Sequence, residues 1–177
     1  MAKTDRVDSK MLAVMADALK LPPSPVSQPN MFEFRELLTA KRALTKDRSA
    51  AKTRLTMARN QTLRAQLQNR LRQIDTDIAQ IESVLLELAN QQEAMIERLD
   101  ILASIPGIGK STALTILIDM PEIGTMTNKQ VGSLAGLAPI SQSSGQWQGK
   151  ERIQGGRAAL RKSIYMPALV AIRFNAD

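Results

Sequence analysis

The sequence predicts an all-α protein, with a coiled coil or helical hairpin followed by a small helical domain that contains a helix-hairpin-helix. Helix-breaking residues are missing from a long central stretch, because no glycine precedes Gly107 and no proline lies between Pro29 and Pro106. Residues 31–105 are therefore predicted to be helical. Leucine and isoleucine also recur there at alternating spacings of three and four residues, which is typical of a coiled-coil seam.

The chain is predicted to divide into four segments. Residues 1–20 hold a short helix, and residues 21–30 form a proline-rich linker, because each proline fixes its own backbone and restricts the residue before it. Residues 31–100 are the coiled-coil region, and residues 101–177 are the small helical domain. The helices predicted outside the coiled-coil region are Ser9–Leu19, Ile101–Ile105, Ser111–Met120, Asn128–Leu137 and Gly156–Arg173.

The coiled-coil region contains one long seam of mostly leucine and isoleucine. Its members are Leu63, Leu67, Leu71, Ile74, Ile78, Ile81, Leu85, Leu88, Gln92, Met95 and Leu99. An upstream stripe from Leu37 to Leu55 is out of phase with this seam. The region is therefore either one rod of roughly 100 Å or a hairpin that turns at Arg59-Asn60-Gln61. We interpret the seam as an assembly surface and expect a homo-oligomer.

Charge favours the hairpin and also a polyanionic partner. The chain has 24 Lys and Arg against 17 Asp and Glu, a net charge of +7, which raises the expectation of nucleic-acid binding. Residues 31–72 carry eleven basic and three acidic side chains, whereas residues 73–100 carry one basic and seven acidic. Folding the region back on itself would place these opposite charges side by side.

Missing residue types exclude several function classes. The sequence has no cysteine and no histidine, which excludes disulfides, the usual zinc sites and acid–base catalysis by histidine. No apolar run reaches membrane-spanning length, and the first residues do not have the pattern of a signal peptide. We therefore expect a cytoplasmic protein without a membrane partner.

Residues 104–112, Ser-Ile-Pro-Gly-Ile-Gly-Lys-Ser-Thr, predict the tight turn of a helix-hairpin-helix. Gly107 and Gly109 would let the backbone approach a phosphate, and the next helix would offer its free N–H groups to the anion. Lys110 adds a positive charge, and Ser111 and Thr112 add hydroxyl donors. Because no base-reading group is present, we expect DNA binding without sequence preference. The alternative is a helix–turn–helix connection that binds nothing.

Several motifs resemble the C-terminal transposase domain of the insertion-sequence-one-ten family. In order, they are Leu102-Ala103-Ser104-Ile105-Pro106-Gly107-Ile108-Gly109, Gly136-Leu137-Ala138-Pro139, Ser144-Gly145, Arg152-Ile153, Gly155-Gly156-Arg157, Leu160-Arg161 and Tyr165-Met166. Members of this family are transposases of bacterial mobile elements that act as DNA recombinases guided by a bridge RNA. The resemblance therefore implies DNA and a guide RNA as partners.

The resemblance implies a serine nucleophile. It assigns to Ser144 the attack on a DNA phosphodiester that forms a phosphoserine link, with Ser141 and Ser143 as the competing candidates. Phosphoryl transfer also needs cations that absorb the charge of the transition state. The nearest plausible cations are Arg152, Arg157 and Arg161.

The resemblance also implies a magnesium site. Lys3-Thr4-Asp5-Arg6-Val7-Asp8-Ser9-Lys10 is similar to the end of the family's N-terminal ribonuclease-H-like domain, so residues 1–20 are predicted to be its remnant. Asp5 and Asp8 would be ligands of Mg²⁺, a cation that prefers carboxylate oxygens and water. The alternative is that Asp8 caps the helix that begins at Ser9.

Family members have two further acidic ligands and a further basic helical segment. We therefore expect this sequence to be a truncated and inactive form, with Mg²⁺ implied for the intact family and not for this chain alone. Two other classes stay open, a non-catalytic DNA-binding module and a coiled-coil assembly protein.

Overall fold

The computed structural model of the protein describes residues 5–20, 29–141, 143–144 and 147–174. The helices are α1 (Asp5–Ala18), α2 (Pro29–Met57), α3 (Gln61–Asn90), α4 (Glu93–Ala103), α5 (Lys110–Asp119), α6 (Asn128–Leu134) and α7 (Ala158–Phe174). The strands are β1 (Pro139–Ile140), β2 (Ser143–Ser144), β3 (Trp147–Gln148) and β4 (Arg152–Ile153). The predicted all-α class is confirmed, with these short strands as an unpredicted addition.

Helices α2 and α3 form an antiparallel hairpin. The Asn60 side chain accepts hydrogen bonds from the backbone N–H groups of Thr62 and Leu63 and so caps the start of α3. Two ion pairs of 2.7 Å join the helices, one between Arg48 and Asp75 and one between Lys41 and Glu82. The hairpin interpretation, with basic residues beside acidic ones, is therefore correct, and the single-rod interpretation is wrong.

The predicted seam packs within the chain and is interrupted. Ile74 and Leu85 are buried, whereas Leu63 at the start of the seam is 52% exposed. Helix α3 ends at Asn90, and the polar seam position Gln92 is the extended residue that precedes α4. Because α2 and α3 pack along their length, the fold itself provides a partner for much of the seam. Homo-oligomer formation stays a prediction.

Helix α5 is the central element of the core. Six consecutive residues from Ala113 to Ile118 are buried, which is expected of a helix that is apolar on all sides. It contacts α2, α3, α4 and α7. Phe34 and Leu117 belong to the core on its hairpin side, and Met120 and Leu160 belong to the core under α7. The N-terminus of α5, which carries the predicted phosphate site, is therefore held rigidly by the surrounding helices.

A close backbone crossing positions α7. Gly136 and Gly156 both have positive φ angles, of 71° and 58°, and a Cβ at Gly156 would lie 2.6 Å from the Cα of Gly136. Arg161 donates hydrogen bonds to the carbonyl oxygens of Ala135, Gly136 and Gly155. This clamp fixes the first turn of α7 against the segment that follows α6.

The four strands form two separate two-stranded sheets between Gly136 and α7. Strand β1 pairs with β4, and β2 pairs with β3, both antiparallel. The sequence predicts this stretch only as a polar loop, because a two-residue strand is too short to show a recognisable period.

Helix α1 packs against none of the other elements in the described part of the chain. Asp8 is the fourth residue of this helix. The interpretation of Asp8 as a helix cap is therefore wrong, because the helix already begins at Asp5.

Candidate nucleic-acid interface

Gly107 lies in the turn between α4 and α5, and it is required by packing. Its φ angle is +93°, and an added Cβ would lie 2.8 Å from the carbonyl oxygen of Pro167 and 3.0 Å from the Cβ of Val170. Both neighbours belong to α7. A helix of the same chain therefore makes a close approach to Gly107, and the predicted contact of Gly107 with DNA stays a prediction.

Gly109 faces open space. It precedes α5 with extended backbone angles, φ −79° and ψ 163°, and no atom lies within 4 Å of a Cβ built there. The first helical hydrogen bond runs from the N–H of Ala113 to the carbonyl of Gly109 at 2.9 Å, so the N–H groups of 110–112 have no partner within the helix. Lys110 is exposed beside them. Gly109 and Lys110 thus keep the geometry that a phosphate contact needs.

The Ser111 side chain is used by the fold. Its hydroxyl accepts a hydrogen bond from Lys41 at 2.7 Å and donates one to Glu82 at 3.0 Å. Burial acts to raise the pKa of Glu82, but the hydrogen bonds from Lys41 and Ser111 outweigh it and hold that pKa below its ordinary value. The network ties α2, α3 and α5 together. The predicted use of this hydroxyl as a phosphate donor is not supported by its position.

Arg157 is likewise bound within the chain. Its guanidinium makes two hydrogen bonds of 2.7 Å to the carboxylate of Glu122 and one of 2.7 Å to the carbonyl of Asp119. The hydrogen bonds to Glu122 raise the pKa of Arg157, and the same bonds lower the pKa of Glu122. Arg157 and the carbonyl-bound Arg161 are therefore held by bonds within the fold, and their assignment as transition-state cations stays a prediction.

Acid should weaken the Arg157–Glu122 pair. Because the pKa of Glu122 is lowered from its ordinary 4.5, the pair stabilises the fold above pH 4.5, and this contribution is lost as the pH falls through the lowered pKa. We expect Glu122→Gln to destabilise the protein at pH 7 by no more than about 1 kcal/mol, since the pair is partly exposed. Thermal unfolding of both proteins from pH 7 to pH 3 checks this. An equal difference at both ends of the range would contradict it.

Arg152 and Ser144 lie on two different two-stranded sheets. Arg152 is exposed and pairs with Ile140, whereas Ser144 pairs with Trp147. The side chain of Ser144 lies outside the described part of the structure, so its prediction as nucleophile stays untested.

Asp5 and Asp8 do not make a magnesium site by themselves. They lie three residues apart on α1, and the side chain of Asp5 is outside the described part. In the described part of the chain, no three acidic side chains lie close enough together to hold a metal ion. Two carboxylates leave most of the octahedral shell of Mg²⁺ without protein ligands. We therefore derive no chemical step through Mg²⁺.

The structure places two further cations near α5 that the sequence motifs do not indicate. Lys46 on α2 and Lys162 on α7 line a groove that also contains Thr112 of α5. The excess of basic residues in 31–72 indicates a cationic surface, but the sequence does not show which of these basic residues face α5. None of the helices that the structure describes is long and apolar enough to span a membrane.

Comparison with known proteins gives a family match over the C-terminal part of the chain. Residues 99–177 match the sequence model of the transposase IS116/IS110/IS902 family. This match covers the turn, α5 and α7, and it confirms the resemblance that the motifs predict: the chain is similar to transposases of this family.

Two curated relatives are similar over almost the whole chain. The pilin gene-inverting protein of Moraxella bovis is 28% identical over 175 residues, which is 95% of this chain and 53% of the relative. The pilin gene-inverting protein of Moraxella lacunata shows the same identity and coverage. The chain thus spans about half the length of the curated relatives it matches.

Proposed function

We propose that this chain is part of a DNA transposase or recombinase that rearranges DNA through a serine nucleophile. The observation that carries the proposal is the match of residues 99–177 to the transposase family. Support comes from relatives whose name describes the inversion of a gene, which is a rearrangement of DNA. The further partners we propose are a guide RNA and, through the seam, a second copy of the chain.

The proposed chemistry is a phosphoryl transfer to Ser144. The Oγ of Ser144 attacks the phosphorus of a DNA phosphodiester and loses its proton, and the bond from phosphorus to one deoxyribose oxygen breaks. That oxygen takes up a proton and leaves as a hydroxyl, so the strand end becomes esterified to the serine. Of the three predicted arginines, only the exposed Arg152 makes no side-chain hydrogen bond within the described part of the chain.

We propose that the chain contacts duplex DNA through Gly109 and Lys110. The open space over Gly109, the unpartnered N–H groups that follow it and the exposed Lys110 support this contact. Such a site recognises phosphate and carries no sequence information. Binding should therefore be independent of sequence and weaken steeply with salt.

Gly109→Val tests the contact with little risk to folding. The backbone angles of Gly109 suit a β-branched residue, and its Cβ position is open. The added methyl groups should keep a phosphate away from the N-terminus of α5, and we expect about a tenfold loss of affinity, about 1.4 kcal/mol. A fluorescence-anisotropy titration with duplex DNA measures it.

Gly132→Ala is the matched control, because Gly132 lies on α6 and its Cβ position is also open. It should bind DNA like the unmodified protein. Equal affinity of Gly109→Val and Gly132→Ala would contradict the contact at Gly109. If the unmodified chain does not bind DNA at all, a coiled-coil assembly protein becomes the better interpretation.

A further inference from the structure

A groove with basic side chains lies where α2, α5 and α7 meet. It has a volume of about 660 Å³ and is lined by side chains of all three helices. Its charged lining residues are Lys41, Arg42, Lys46 and Lys162, and Thr112 contributes a hydroxyl group. Because all four charged side chains among them are basic, the groove is a candidate site for an anion.

Two of these cations are neutralised by the fold. Lys41 pairs with Glu82 at 2.7 Å, and Arg42 pairs with Asp119. Lys46 and Lys162 are exposed, and neither has an acidic partner in the part of the chain that the structure describes. The groove therefore keeps two positive charges for a ligand.

One hydroxyl group in the groove, that of Thr112, is available to a ligand. Thr45, Ser49 and Ser163 donate to carbonyl oxygens of their own helices. Thr112, which is half-buried, makes no such bond in the described residues. Its hydroxyl hydrogen is therefore available to an acceptor in the groove, which Lys46 and Lys162 also line.

The groove reaches the first turn of α5, close in the chain to Gly109 and Lys110. Thr112 lies in the first turn of α5, about 3 Å along the helix axis from Lys110. Lys110 is not among the residues that line the groove, and residues two apart face different sides of a helix, so the turn and the groove offer separate phosphate positions. A single phosphate would use one of these positions, whereas a chain of phosphates could use several.

We propose that this groove binds the phosphodiester backbone of a nucleic acid and extends the contact that begins at Gly109. The proposal rests on the proposed function, and it assigns Lys46 and Lys162 to phosphates beyond the one at the turn. Both lysines are positioning contacts that read no base. They should add to affinity and to its salt dependence in equal measure for every DNA sequence.

The test compares two double variants with equal net charge, Lys46→Gln/Lys162→Gln in the groove and Lys10→Gln/Lys129→Gln on the exposed surfaces of α1 and α6. The dissociation constant for a mixed-sequence DNA duplex is measured over a salt series. Loss of two phosphate contacts should reduce the slope of log K against log salt by about 2 and weaken binding roughly ten- to sixty-fold at 0.1 M salt. The control pair should change the slope little. The variant Lys46→Arg/Lys162→Arg keeps both positive charges and should therefore bind DNA about as well as the unmodified protein.

The outcomes separate the groove from the proposed function. Equal losses in the groove pair and the control pair would show an effect of net charge alone and overturn the groove. Unchanged binding by the groove pair, with a loss in Gly109→Val, would also overturn the groove and leave the proposed function intact. If inorganic phosphate at low millimolar concentration competes as well as a short oligonucleotide, the groove holds a free anion and the proposal is wrong. No DNA binding by the unmodified chain would overturn both.

Discussion

Ser144→Ala is expected to abolish a covalent protein–DNA adduct in the active protein. The chain spans about half the length of its curated relatives, so the experiment joins it to the remaining segments of the Moraxella bovis relative. With Mg²⁺ and DNA, this chimera should form an adduct that resists denaturation. Alanine removes the oxygen that forms the ester, so no adduct should remain.

Ser143→Ala is the control, because Ser143 is the neighbouring residue of the same strand, β2. It should leave the adduct in place. An adduct that survives Ser144→Ala and disappears in Ser143→Ala would assign the nucleophile to Ser143. An adduct that survives both changes would contradict a nucleophile on this strand.

Gly156→Ala is expected to destabilise the fold by about 2–5 kcal/mol. The left-handed conformation of Gly156, φ +58°, costs a non-glycine residue about 1–2 kcal/mol. The new Cβ would also lie 2.6 Å from the Cα of Gly136 and 2.7 Å from the carbonyl oxygen of Leu134, and backbone atoms cannot rotate away. Forcing them apart adds about 1–3 kcal/mol. The unfolding midpoint should therefore fall by about 10 °C.

Gly155→Ala is a closely matched control for this effect. Gly155 also has a positive φ, +73°, but no atom lies within 4 Å of its Cβ position. Only the conformational cost applies, so we expect a loss of about 1–2 kcal/mol. Similar midpoints for the two variants, by thermal or denaturant unfolding, would contradict a close crossing at Gly136 and Gly156.

Helix positions and the hairpin follow from local sequence signals. The seam spacing and the absence of glycine predict the helices of the central region, and α5 was predicted at Ser111–Met120 and is found at Lys110–Asp119. The phase change after Leu55 located the turn within about one residue. These features depend on residues close together in sequence, which periodicity reports directly.

The candidate site was only partly predictable. The motif at 104–112 placed Gly109 and Lys110 at the start of a helix, as the structure has them. It also assigned Gly107 and Ser111 to a ligand, whereas the structure assigns them to α7 and to the pair of Lys41 with Glu82. A donor's type is visible in sequence, but its partner is not.

Sequence by itself determined the helical class, the charge complementarity of the hairpin, and the resemblance to the transposase family. Tertiary structure decided which glycines serve packing, which arginines are bound by carbonyl and carboxylate groups, and which lysines stay available for a phosphate. Arg157 and Lys162 are both basic residues near the start of α7, yet Arg157 is paired with Glu122 while Lys162 faces the groove. That difference arises from contacts between segments far apart in the chain, where burial and hydrogen-bond geometry select among chemically similar side chains.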